Sequence, residues 1–175
     1  MIMLRNRAEL KSLLKLFFSI LIFLLIFPVF VEGVKIKRDP IYDPGLDVKA
    51  AITESLEIGK KENKNILVMF GGNWCPWCYK LHSLFEKDLK INDFLKKNYI
   101  LILVDIGETA AKPLNRDIVD KLRVKGFGYP SLAVLGYQKG TLLAAQSTGI
   151  LEKGKSHDAE KVLGFLKAQA PNPKK

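Results

Sequence analysis

Two uninterrupted apolar runs, ILVMF at 66–70 and YILILVD at 99–105, constrain this chain more than any other feature. Neither alternates apolar with polar residues, as a strand with one wet face does, so each reads as a strand covered on both faces. Such strands need helices above and below the sheet, and the flanking sequence supplies them. Asp47 reads as the cap of a helix in which Val48, Ala51, Ile52 and Leu56 recur at three and four residues. A second helix is expected to carry Pro76 in its first turn and to run to about Lys87, and a third to follow from Leu114 through LNRDIVDKLRV. After KGFGYP come SLAVLGY and TLLAAQ, separated by Gln138-Lys139-Gly140, a hairpin spacing with glycine where a positive φ is needed. SHDAEKVLGFLKAQA closes the pattern as an amphipathic helix capped by Ser156 or Asp158, with Val162, Leu163 and Leu166 facing inward. These elements predict an α/β fold in which a central mixed β-sheet is flanked by helices.

A chain of 175 residues, 48% hydrophobic, holds enough apolar material for one core. The N-terminal segment stands outside it. Arg5, Arg7, Lys11 and Lys15 precede LFFSILIFLLIFPVFV, an apolar run from Leu16 to Val31 broken by Ser19 and Pro28. That run is shorter than the roughly 20 residues of a spanning helix. Val31 and Gly33 place small residues where a signal peptidase cuts, so residues 1–33 are expected to be a signal peptide cleaved after Gly33. The alternative is an uncleaved anchor over residues 13–31, and either reading carries the domain across a membrane, with the bacterial periplasm as the expected location. Residues 34–46, with Pro40, Pro44 and Gly45, read as an extended arm, residues 47–170 as the domain, and residues 171–175 as a tail. The net charge of +10 is spread among acids rather than gathered into a run interleaved with aromatics. A nucleic-acid surface is therefore not expected, while weak attraction to anionic membrane surfaces is.

The chain has two cysteines, in GGNWCPWCYKLH. In an oxidising compartment an even count usually marks a structural framework. A bridge between Cys75 and Cys78 closes so short a loop that it removes little unfolded-state entropy, which makes a clamp a poor explanation. Three residues apart at the start of a helix, the two thiols share one face. Cys75 meets the unpaired N–H groups and positive end of the helix dipole, which favour thiolate, while Cys78 lies a turn deeper. An exposed nucleophile, Cys75, followed by a shielded resolving thiol, Cys78, is the arrangement that disulfide exchange needs. Asn73, Trp74, Pro76 and Trp77 are neutral and Lys80 lies over a turn beyond Cys75. The Cys75 pKa is thus expected at ~6–7.5, with a correspondingly intermediate potential. Trp74 is expected to pack on the sheet edge or meet substrate, and Trp77 to face substrate or act as a local lid.

WCPWC after an apolar strand, with GYPSLAVL some fifty residues later, then a hairpin and a final helix, resembles the thioredoxin-like superfamily. More narrowly, FGGNWC at a strand end is similar to exported single-domain thioredoxin-like proteins, over about Asp47 to Gln169. The resemblance implies a protein thiol–disulfide oxidoreductase acting on client proteins with disulfides, served by a membrane or soluble redox partner. It implies a monomer with no cofactor and no metal. It also implies a cis peptide at Pro130 facing the disulfide and a Tyr129 backbone that pairs with an extended client segment, so Trp74, Pro76, Trp77, Tyr129 and Pro130 are the expected client contacts.

The chain departs from thioredoxins proper at Met69, where they carry a buried aspartate that serves the resolving thiol, and in ILILVD, which lacks their lysine. The proton relay is therefore expected to be missing or relocated. The pattern Cys-Pro-aromatic-Cys resembles glutaredoxins and some oxidases or isomerases. His82, four residues after Cys78, reads as a partly buried helix histidine rather than a catalytic base. Two other functions remain open from the residues. Cys75, Cys78, His82 and His157 offer four ligands of the types zinc takes, although zinc ligands usually come in two close pairs. A non-catalytic client-binding domain with incidental cysteines is the second. Tyr79 stands where haem attachment needs histidine.

Overall fold

The structure is a computed structural model that describes residues 11, 15–19, 38–108 and 112–171. Contacts divide the chain into two units, residues 1–38 and 39–175. In the first, residues 15–19 are helical; most of the expected signal or anchor segment, and residues 172–175 of the tail, lie outside the described residues. Among the described residues no helix is long and apolar enough to cross a membrane.

The second unit holds α1 (Val48–Glu62), β1 (Asn65–Gly71), α2 (Pro76–Lys87), α3 (Leu89–Asn98), β2 (Tyr99–Asp105), α4 (Arg116–Lys121), β3 (Ser131–Leu135), β4 (Leu142–Ser147), a 3₁₀ turn Thr148–Leu151, a two-residue hairpin of β5 (Glu152–Lys153) and β6 (Ser156–His157), and α5 (Ala159–Ala168). The main sheet runs β2-β1-β3-β4, with β1 parallel to β2 and antiparallel to β3. Every residue of β1 is buried, as its unbroken apolar run predicts. Its alternation divides the core into two layers. Leu67 and Met69 join Leu81 and Phe85 of α2, Ile91 and Leu95 of α3, and Val162 and Leu166 of α5 on one face. Ile66, Val68 and Phe70 join Val48 of α1 and Ile118, Val119 and Leu122 of α4 on the other. Burial contributes about 1.5–3 kcal/mol per large apolar side chain, so helices on both faces make β1 the most firmly held strand.

Several local expectations change. The LNRDIVDKLRV helix is cut to six residues because Asn115, at φ 53, and Arg123, at φ 57, adopt left-handed backbone that ends helical hydrogen bonding. Asn115 turns its amide instead to the Asp105 carbonyl at 2.8 Å. α3 was not expected. Asp88 is at once the C-terminal cap of α2 and the N-terminal cap of α3, its carboxylate accepting the Ile91 N–H at 3.0 Å, so two helices meet with no loop. Asp158, not Ser156, caps α5 by accepting from Glu160 and Lys161, and Ser156 belongs to β6. Gly140 takes the positive φ, 65°, that the hairpin spacing calls for.

Residues 39–46 of the expected arm belong to this unit. Tyr42 is buried within the α2 face of the core, and Ile41 packs against the same cluster.

Candidate active site

β1 ends at Gly71, and the next four residues must reverse the chain into α2 without space for side chains at the bend. A β-carbon at Gly72 would lie 2.5 Å from the Trp74 indole nitrogen, and one at Gly71 would overlap the Cys78 sulfur and reach 2.5 Å from the Tyr42 hydroxyl oxygen. Asn73 fills the polar side of the turn. Its Oδ1 accepts the Ile41 and Tyr42 N–H groups at 2.9 and 3.0 Å, and its Nδ2 donates to the Tyr42 carbonyl at 2.9 Å. Pro76 opens α2, where a missing N–H costs nothing.

Cys75 and Cys78 form a disulfide with α-carbons 5.3 Å apart. Cys75 is the cap of α2: its sulfur accepts the Cys78 N–H at 3.1 Å. The expectation of an exposed Cys75 is corrected, for it is only 3% exposed and Cys78 is fully buried. In the disulfide the Cys75 sulfur turns inward, towards the first-turn N–H and its bonded partner, rather than towards water. The same N–H is positioned to stabilise a Cys75 thiolate once the bond opens.

Trp74 is 47% exposed, donates its indole N–H to the Gly107 carbonyl at 2.8 Å, and stands edge-on to Tyr129 with ring centres 6.1 Å apart. Together they wall a groove of about 350 Å³ that also takes in Ile106, Leu114 and Val119. Trp77 is half-buried and makes a different contact, edge-on to His157 at 5.4 Å with the Lys80 ammonium 4.1 Å from its ring centre. Lys80 also donates to the Lys155 carbonyl at 2.6 Å. Neither ring nitrogen of His157 has a hydrogen-bond partner, and burial, aided by Lys80, pushes its pKa down to about 4.

The Tyr129–Pro130 peptide bond is cis. Phe70 is paired with Ser131 across β1 and β3, so Pro130 enters β3 beside the end of β1 that leads to the disulfide. The loop is fastened from β4 and the turn after it: Thr148 Oγ1 donates to the Pro130 carbonyl at 2.5 Å and Ser147 Oγ to the Phe127 carbonyl at 3.0 Å. Partial burial raises the Tyr129 hydroxyl pKa.

Behind the disulfide, Met69 is fully buried on the Cys78 side of β1, so no carboxylate projects from that strand. The polar groups there come from elsewhere, and sequence reasoning missed them. Tyr42 brings its hydroxyl from the arm. Asp105, 7% exposed and paired with Gly71 across β1 and β2, accepts the Gly107 N–H at 2.7 Å. Burial first, then the Asp105 charge and Tyr79, raise the Tyr42 pKa far above the ordinary phenol value. The only prior signal was Asp105 itself, an acid closing an otherwise apolar run. His82 lies on α2 with Nδ1 3.5 Å from the Glu86 carboxylate. Among the described residues no group of three or more His, Cys, Asp or Glu side chains is placed to hold a metal ion.

A family model described as a thioredoxin-like domain matches residues 52–162. The chain belongs to that family. Among solved structures of thioredoxin-like form, it is similar to a disulphide isomerase from Xylella fastidiosa Temecula1, with 20% identity and a TM-score of 0.65 over 75% of this chain and 98% of that one. It is also similar to a DsbH oxidoreductase, with 24% identity and a TM-score of 0.51 over 67% of this chain and 80% of that one. At these identities the likeness is one of fold. A search of curated protein sequences returned no match.

Proposed function

We propose that this protein is an exported thiol–disulfide oxidoreductase that reduces or exchanges disulfides of client proteins through Cys75 and Cys78. The observation that carries this reading is a disulfide set in the cap and first turn of α2, at the sheet end where a cis proline enters the neighbouring strand. Reduced, Cys75 attacks a client disulfide and expels one client thiolate. Cys78 then attacks the Cys75 sulfur of the mixed disulfide and releases the second. Two electrons and two protons pass to the client, and the protein ends as the disulfide.

Trp74, Pro76, Trp77, Tyr129 and Pro130 form the client-contact surface in this reading. The aromatic groove between Trp74 and Tyr129 takes a client side chain, and the backbone at Tyr129 pairs with an extended client segment. The basic, apolar N-terminal segment supports export to the periplasm, by cleavage after Gly33 or as an anchor over residues 13–31. A separate redox partner must then reset the pair.

Reduction of insulin disulfides, followed as turbidity with dithiothreitol as the electron source, tests the reading. The wild-type protein is expected to accelerate precipitation, Cys75→Ser to abolish the acceleration, and Cys78→Ala to accumulate mixed disulfides through Cys75. Wild-type protein that gives no acceleration, or Cys75→Ser protein that keeps it, contradicts the reading.

A further inference from the structure

Near the resolving cysteine lies a buried hydroxyl that the fold leaves unpaired. The Tyr42 ring sits in the same core cluster as both cysteines, its side chain is 2% exposed, and its oxygen has no hydrogen-bond partner. A buried polar group left unpaired destabilises the fold, so its presence calls for an explanation. Position gives one. A single β-carbon built on Gly71 would strike both the Cys78 sulfur and the Tyr42 oxygen, so the two atoms border the same small space beside Gly71. A disulfide sulfur is a poor acceptor, whereas a thiolate is a strong, charged one.

We propose that the Tyr42 hydroxyl is the hydrogen-bond donor to the Cys78 thiolate when the disulfide opens, so that the arm supplies the polar partner that β1, with Met69, does not. In the resolving step Cys78 gives up its proton to the client thiolate expelled in the first step, its sulfur forms the new bond to Cys75, and the second client sulfur leaves with the electron pair. Tyr42 keeps its own proton throughout. The titratable groups facing the hydroxyl are Asp105 at the end of β2 and Tyr79 on α2, and both hold that proton on the oxygen. Asn73 is the positioning residue: its three hydrogen bonds to the backbone of Ile41 and Tyr42 fix the arm beside the α2 turn.

The hydroxyl is unpaired in the disulfide and pairs with the Cys78 sulfur once that sulfur is charged, so at a pH where Cys78 is thiolate it stabilises the reduced form selectively. Tyr42→Phe removes only that oxygen. This inference rests on the redox reading of Cys75 and Cys78, and equilibration with glutathione separates the two. In Tyr42→Phe, at an alkaline pH where the reduced Cys78 is thiolate, the disulfide–dithiol equilibrium is expected to shift about tenfold towards the disulfide, equal to ~30 mV for a two-electron couple. Thermal melts are expected to show the oxidised variant at least as stable as wild type and the reduced variant less stable. Asn73→Ala is expected to shift the equilibrium in the same direction. An unchanged equilibrium in Tyr42→Phe, or an equal loss of stability in both redox forms, overturns the role of the hydroxyl while leaving the oxidoreductase intact. Wild-type protein that never equilibrates with glutathione overturns the redox reading itself, and this inference with it.

Discussion

Acid should loosen this fold through one residue, His157. The ring is 6% exposed, its nitrogens are unpartnered, and it packs edge-on to Trp77 with Lys80 over the same indole. Burial and the nearby ammonium lower its pKa from 6.5 to about 4. The unfolded chain takes up the proton near pH 6.5, and the folded protein refuses it until about pH 4, so stability falls as pH falls through that window. Linkage between pH 7 and 5 gives a loss of about 2 kcal/mol. With a urea slope of roughly 1–3 kcal/mol per molar, the unfolding midpoint should drop by about 1 M. Glu57, Asp117 and Asp158 also have lowered pKa values, set chiefly by Lys60, by Lys49 and by the Lys161 N–H respectively, but their windows open at more acid pH. His157→Phe keeps an aromatic ring against Trp77 and removes the proton site. Urea melts of both proteins at pH 7 and 5 should show the wild-type midpoint falling and the variant's barely moving. Equal losses in the two would refute the assignment.

Two further perturbations probe how the site is built. Gly71→Ala places a carbon against the Cys78 sulfur and the Tyr42 oxygen, so it should lower stability by about 1–3 kcal/mol in urea unfolding and displace the arm. Asp88→Ala removes the side-chain cap of α3 at its junction with α2 and should cost about 1 kcal/mol, with insulin reduction unchanged because the junction lies at the far end of α2 from the disulfide.

The parts of the fold that were legible in the sequence are those where one local force dominates. β1 and β2 follow from runs too apolar to be anything but interior strands, and α1 and α5 from helical spacing with an aspartate at the start of each. α3 was hidden because Asp88 ends one helix and starts the next, leaving no glycine or proline to announce a boundary. α4 was overestimated because the periodicity of LNRDIVDKLRV carries no sign that Asn115 will spend its amide on the Asp105 carbonyl. At the site, the cysteine pair and the helix that carries it were readable from spacing alone. The company around it was not. Tyr42 lies in the cluster with Cys78, its backbone held by Asn73 from 31 residues later, a tertiary contact with no periodic trace. Of the two tryptophans, Trp77 was expected to be the more open, and the structure shows the reverse. Trp74 stays open through its bond to Gly107, while Trp77 meets His157 edge-on.

The most direct test of the central claim is the equilibrium potential of the Cys75–Cys78 pair, read by quantifying thiols across a glutathione or dithiothreitol series. An exchange-active pair whose Cys75 thiolate is stabilised by the end of α2 should equilibrate reversibly, at a potential between the about −270 mV of thioredoxin and the about −120 mV of the strongest oxidants. A pair that stays oxidised below about −300 mV, as structural disulfides do, would show that the bond is a fixture of the fold and not its reagent.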